Sequence, residues 1–229
     1  MIDFHCHILP GIDDGSGSLE ETRKMLQQAG SQGVRYMVAT PHFYADRMMP
    51  RDFLDKRQKA FECVVSEDIA PELGLGAEVY YFDNMSRSDE LQKLQINDTG
   101  LLLVEMPFTG WTDRIVDDVC RLQDRQGLTP VLAHVERYRN GDQFPRYRDK
   151  LLSEGVLMQA NAGSFGLIRT GFWLQQQMKR GCIHFLGSDC HNLTTRQPNM
   201  ETAERMILKR LGAGALREIM DFSAQALGI

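Results

Sequence analysis

Seven short runs of apolar, β-branched and aromatic residues alternate along this chain with longer stretches of helical periodicity, the pattern of a parallel sheet covered by helices. The runs are Ile2–Cys6, Arg35–Ala39, Gly74–Tyr80, Leu101–Glu105, Pro130–His134, Leu157–Asn161 and Ile183–Ser188. Helices are expected at about Leu19–Gln32, Arg51–Val65, Trp111–Gln126, Gln143–Ser153, Gly171–Arg180, Asn199–Leu211 and Gly214–Leu227. Seven strands of this kind, each followed by a helix or loop, suggest an α/β barrel. At 229 residues the chain is long enough to bury roughly 70–75% of its unfolded surface. No repeat, low-complexity tract or long Gly/Ser/Pro linker divides it, so residues 1–229 read as one domain.

The first helix shows how local chemistry sets these elements. Ser18 is placed to accept from a free amide of the first turn, and Glu21 stands three residues on, the spacing of a capping box. Met25, Leu26 and Ala29 then form one apolar stripe, and Gly30 and Gly33 stand where the helix should end.

Charge and cysteine usage narrow the function. The formal net charge of −5 argues against a protein that grips nucleic-acid phosphates. No run approaches the roughly 20 apolar residues of a membrane-spanning helix, and the amino terminus lacks the cationic and apolar segments of a signal peptide. Five scattered cysteines without a CxxC pair fit reduced thiols, so a cytoplasmic protein is expected.

The polar residues then fall in an unusual place. His5 and His7 end the first run, His42 follows the second, Glu78 closes the third and Glu105 the fourth. His134 ends the fifth, while Asp189 and His191 follow the seventh. All stand at carboxyl ends, the face of a parallel barrel where catalytic groups gather. Residues two apart on a strand share a face, so His5 and His7 point together into the mouth while Cys6 points away. Asp189-Cys190-His191 repeats the arrangement, and barrel closure would bring the two pairs side by side. Imidazoles and carboxylates in this number suit Mn, Fe or Zn. His184, the remaining histidine, lies near a strand start and reads as structural.

These residues resemble the PHP (polymerase and histidinol phosphatase) superfamily. The resemblance is carried by His5-Cys6-His7, Asp13-Asp14-Gly15, Thr40-Pro41-His42, Glu78, Glu105, Ala133-His134 and Asp189-Cys190-His191. The opening Met1–Ser16, the His134-Val135-Glu136-Arg137-Tyr138 run and Gly187-Ser188-Asp189-Cys190-His191 are closest to the bacterial manganese-dependent tyrosine phosphatases of capsular and exopolysaccharide synthesis. That resemblance implies a distorted (β/α)7 TIM-like barrel, the PHP fold, with three divalent metal ions at its mouth, Mn2+ foremost. His5, His7, Glu78 and Asp189 would hold one ion. Glu78 would bridge to a second held also by Glu105 and His134, and Asp14, His42 and His191 would hold the third. Asp14 is preferred to Asp13 because it directly precedes Gly15. The implied substrate is a phosphotyrosine-containing protein, the tyrosine-rich tail of a bacterial tyrosine kinase.

Arg137 and Arg196 follow candidate ligands closely, and a guanidinium binds two phosphate oxygens at once, so both are expected to orient substrate. Asp13 is a candidate proton donor to the leaving phenolate. Tyr44, Tyr80 and their aromatic neighbours are candidates to stack on a substrate ring. Three rival readings remain. One is a histidinol-phosphatase-like small-molecule phosphoesterase, and another a non-catalytic metal protein that docks a kinase. The third is a thiol phosphatase built on the C-x5-R spacing of Cys190 and Arg196, although Cys190 should point away from the mouth.

Overall fold

The computed structural model describes residues 1–66 and 70–229. The strands in chain order are β1 (Ile2–Cys6), β2 (Tyr36–Ala39), β3 (His42–Phe43), β4 (Glu72–Leu75), β5 (Glu78–Tyr80), β6 (Leu101–Glu105), β7 (Thr129–Leu132), β8 (Leu157–Asn161) and β9 (Phe185–Gly187). The helices are α1 (Leu19–Ser31), α2 (Pro50–Val65), α3 (Asp113–Gln126), α4 (Phe144–Ser153), α5 (Ile168–Lys179), α6 (Met200–Arg210) and α7 (Ala213–Leu227).

Among the described residues each pairing between two strands is parallel, in the orders β1-β2-β4 and β3-β5-β6-β7-β8-β9. The expected third strand is therefore broken into β4 and β5, while the second ends at Ala39 as expected and its position in the barrel is continued by β3. Proline has no amide to donate, so Pro41 interrupts the ladder between β2 and β3. The rungs resume around the break, with Gly76 N donating to Ala39 O at 2.9 Å and Glu78 N to Pro41 O at 3.0 Å. The ring closes where Asp189 N donates to His5 O at 2.8 Å and His7 N to Cys190 O at 2.9 Å. Seven strand positions thus form the distorted parallel barrel that the sequence suggested.

An inner apolar cluster of Phe4, Val38, Leu103, Val131 and Phe185 fills the barrel, with Phe4 and Phe185 stacked at 3.8 Å between ring centroids. Leu227 of α7 joins this cluster, and a larger one lies between sheet and helices. The register of β1 against β2 shifts between Asp3 and Cys6, a bulge that lets Phe4 belong to the floor while His5 and His7 meet at the mouth.

Local signals explain the helices. Ser18 Oγ accepts from Glu21 N at 3.2 Å, while the Glu21 carboxylate reaches back to Gly17 N, one residue beyond the expected capping-box partner, Ser18 N. Thr112 caps α3 through Ile115 N, and Val116, Val119 and Leu122 form its buried face. α5 begins at Ile168, three residues before the expected start at Gly171, and Gly171 lies inside it as a packing residue: a Cβ there would lie 2.2 Å from Phe165 O. His184 Nδ1 accepts from Met158 N at 3.0 Å, the structural role expected of it.

Candidate active site

Along the interior face, apolar side chains at the barrel floor give way to polar ones at the mouth. Leu101 and Leu103 belong to the inner cluster and Glu105 continues their face of β6. Leu157, Gln159 and Asn161 share a face of β8 in the same way.

The candidate ligands meet there. His5 Nε2 and His7 Nε2 lie 3.0 Å apart. Glu78 Oε2 is 3.3 Å from each of them, and Asp189 Oδ1 is 3.7 and 3.5 Å away. Donor atoms about 2.1 Å from a shared cation are themselves separated by about 3.0–3.5 Å, so these spacings match one coordination shell. Glu78 also offers Oε1 to His134 Nε2 at 2.9 Å, where Glu105 Oε1 stands at 3.5 Å. Asp14 Oδ1 is 3.5 Å from both His42 Nε2 and His191 Nε2. Donor atoms lie within 4.8 Å of one another in three overlapping sets: His7, Asp14, His42 and His191; His5, His7 and Asp189; and His42, Glu78 and Glu105. His42 links two of these sets, with Nδ1 2.9 Å from Glu78 Oε2 and Nε2 turned to Asp14.

This donor set fits divalent cations. His42 Nδ1, Glu78 Oε2 and His191 Nε2 are buried and make no well-aligned hydrogen bond among the described residues, and what faces them is other candidate ligands. Buried donors that face one another rather than well-aligned partners are better satisfied by a shared cation. The set is purely nitrogen and oxygen, as Mn, Fe or Zn accepts.

Neighbouring groups fix how the imidazoles present themselves. Gln159 Oε1 accepts the His134 backbone amide at 2.7 Å, which sets the orientation of its side-chain amide, and it therefore also accepts from His5 Nδ1 at 3.1 Å. Asp13 Oδ2 accepts from His7 Nδ1 at 2.8 Å, and Asp189 O from His191 Nδ1 at 3.0 Å. With Nδ1 committed outward, each of the three rings, in the neutral form that binds a metal, turns its Nε2 lone pair to the mouth. Gln159 Nε2 donates to Asn161 Oδ1 at 3.0 Å, and Asn161 Nδ2 to Asp189 Oδ2 at 2.8 Å. β8 supplies no candidate ligand, yet this relay joins His5, His134 and Asp189. The sequence reading missed it, although two amides continuing the interior face of a buried strand were the signal.

Burial alone would push His7 down, but Asp13 and Glu78 outweigh it and raise the imidazole to about 10; His134 rises to about 9 against burial through Glu105 and Glu78. Burial, His7 and Arg196 push His191 down to about 3. Burial opposes ionisation of Asp189, yet His5, His7 and Arg137 hold its carboxyl below the usual range. Arg137 Nη2 donates to Asp189 Oδ2 at 2.5 Å and Arg196 Nη2 to Oδ1 at 2.6 Å, so both expected phosphate binders converge on a candidate ligand.

Backbone geometry reinforces the arrangement. His134 and Asp189 adopt left-handed φ of 33° and 52°, uncommon for residues other than glycine and often found at functional sites. Gly15 lets the Asp13-Asp14 loop lie on His7, since a Cβ there would stand 2.2 Å from His7 O. Asp13 is thereby turned inward and Asp14 toward the mouth. Of the aromatic candidates, Tyr44 lies 5.3 Å from His42 and 5.6 Å from Tyr80, whereas Phe43 and Tyr81 are core residues. Cys190 is fully buried, a free thiol whose backbone pairs in parallel with that of Cys6 behind the ligands, out of reach of a substrate.

Known proteins share this architecture. Tyrosine-protein phosphatase YwqE of Bacillus subtilis is 31% identical over 223 residues, covering 93% of this chain and 86% of that protein. Tyrosine-protein phosphatase CpsB of Streptococcus pneumoniae is 29% identical, covering 96% and 94%. A crystal structure from work on YwqE and CpsB, described there as unique metal-dependent tyrosine phosphatases, superposes with a TM-score of 0.85 at 28% identity, over 99% of this chain and 94% of that one. A TatD-family hydrolase from Entamoeba histolytica, 11% identical with a TM-score of 0.59 over 99% and 97%, shares the fold alone. These relatives bear out the resemblance read from the motifs. The family model described as capsular polysaccharide synthesis, CpsB/CapC, matches residues 1–227, and the chain belongs to that family.

Proposed function

We propose that this chain is a metal-dependent tyrosine phosphatase that hydrolyses phosphotyrosine in a protein acting in capsular or exopolysaccharide synthesis. The observation that carries the reading is the convergence of five imidazoles and four carboxylates at the barrel mouth, their donor atoms gathered in overlapping sets. Its similarity to YwqE and CpsB supplies the substrate class.

The residues suit three ions, with Mn2+ the favoured metal. His5, His7, Glu78 and Asp189 would hold the first, Glu78, Glu105 and His134 the second, and Asp14, His42 and His191 the third. When bound, such ions activate water and neutralise phosphoryl charge. Glu78 faces both the first and second groups through separate oxygens. Arg137 and Arg196 each spend one Nη on Asp189, which leaves the rest of each guanidinium for phosphoryl oxygens. Asp13 takes a positioning role in place of proton donor. Burial opposes its charge, but His7 and the His42 and Gly15 amides hold its carboxyl below the usual range, and those three groups occupy its oxygens. A phenolate, whose acid has a pKa of about 10, needs less proton help than an alkoxide.

No helix among the described residues is long and apolar enough to cross a membrane. Five free cysteines support a reducing, cytoplasmic setting, where the tyrosine-rich tail of a membrane-associated kinase is the proposed partner. The test is elemental analysis beside turnover of a phosphotyrosine peptide on one sample. Chelation and dialysis should abolish turnover and Mn(II) should restore it. Activity undiminished after exhaustive chelation refutes the proposal, and metal binding without turnover would instead favour a docking protein. Faster hydrolysis of histidinol phosphate than of the peptide would favour the small-molecule reading.

A further inference from the structure

In an aryl phosphate ester a single oxygen separates the ring from phosphorus. With the phosphoryl group at the candidate ligands, the ring must therefore rest against the rim beside them. Aromatic groups stand on two sides of that rim. Beside His42, Tyr44 is covered by the Arg47 guanidinium at 4.2 Å from its ring centroid and packed near Tyr80. Beside His134, Phe108 lies 6.3 Å from the imidazole with the ring planes 23° apart. Phe108 is 54% exposed, although it follows the candidate ligand Glu105 by only three residues.

A set of rings packs behind it. Phe108 is 6.0 Å from Tyr138, Tyr138 is 5.0 Å from Trp111, and Trp111 is 5.8 Å from Phe144. Tyr138 is buried and its hydroxyl accepts from Met106 N at 3.0 Å, which ties this set to the loop after β6. The four rings line a cavity of about 220 Å3. Phe108 is thus a positioned ring with an open face beside the phosphoryl site, whereas Tyr44 already has a partner on its ring.

Resting on the tyrosine phosphatase reading, we infer that Phe108 is a specificity-determining residue whose open face receives the ring of phosphotyrosine. Aryl phosphates are then favoured over alkyl ones by ring contact, independently of the metal ligands. Such a contact is worth about tenfold in affinity, the upper end for one aromatic pair.

Binding of phenylphosphonate and methylphosphonate to the Mn(II)-loaded protein tests this, measured by calorimetry for the wild type, F108A and F108W. Phe108 is exposed, so neither variant disturbs the core. F108A should weaken phenylphosphonate about tenfold and change methylphosphonate by less than about twofold, while F108W keeps the aryl preference. Equal losses for both ligands, or an unchanged aryl preference in F108A, overturn the inference. A wild-type protein that hydrolyses no phosphotyrosine peptide overturns the underlying reading as well. One that hydrolyses it while F108A keeps its preference overturns the role of Phe108 alone.

Discussion

Replacing Gln159 with leucine probes the relay behind the ligands while keeping side-chain volume nearly constant. In the wild type, Gln159 Oε1 accepts from His134 N at 2.7 Å and His5 Nδ1 at 3.1 Å, and Nε2 donates to Asn161 at 3.0 Å. Leucine makes none of these bonds and leaves a buried backbone amide unpaired, which costs about 1–3 kcal/mol of stability. For a chain of this length that is a fall in Tm of about 2–12 °C. The imidazole of His5 also loses the partner that commits its proton to Nδ1, and the Asn161 side chain that holds Asp189 loses its own donor. Losing such outer partners typically weakens metal binding 10–100-fold, or about 1.4–2.7 kcal/mol. Titrating Mn(II) into metal-stripped protein by calorimetry, with circular dichroism as the control for folding, measures the effect. Q159E keeps an oxygen opposite both His5 and His134, and should recover most of the affinity that Q159L loses. A folded Q159L that binds Mn(II) within about twofold of the wild type would refute the reasoning.

Cys190→Ala should leave phosphotyrosine turnover within about threefold of the wild type, because the thiol lies behind the ligands; a dead but folded variant would restore the thiol reading. Asp3 supplies a pH test, since burial pushes its carboxyl up to about 6 although Ser188 and His5 amides donate to it. Its ordinary value is about 3.9, so the folded chain binds this proton more tightly than the unfolded chain. The resulting stability is fully present below about pH 4 and is lost as pH rises through about 6, by about 3 kcal/mol. Asp3→Asn removes that slope, so urea unfolding at pH 4.5 and 7 should show the wild type losing stability relative to the variant. Equal pH dependence in the two proteins counts against it.

What could be read without the structure was whatever depends on local periodicity. Short apolar and β-branched runs predicted the strands, stripes and caps predicted the helices, and strand direction alone put His5, His7, Glu78, Glu105 and His134 at one end of a barrel. Face alternation likewise separated His5 and His7 from Cys6. Distances between groups on different strands are not local, and they were settled by register and closure. The bulge in β1, the break at Pro41 and the rungs joining His5 to Asp189 decide which atoms meet. The resemblance preferred Asp14 to Asp13 as the ligand, but it is the packing of Gly15 on His7 that turns Asp13 inward and Asp14 out. The convergence of Arg137 and Arg196 on Asp189, the contacts of the Gln159–Asn161 relay and the placing of Phe108 beside His134 join segments far apart in the chain. Local pattern tells a side chain which way to point, but only closure of the ring determines what stands opposite it.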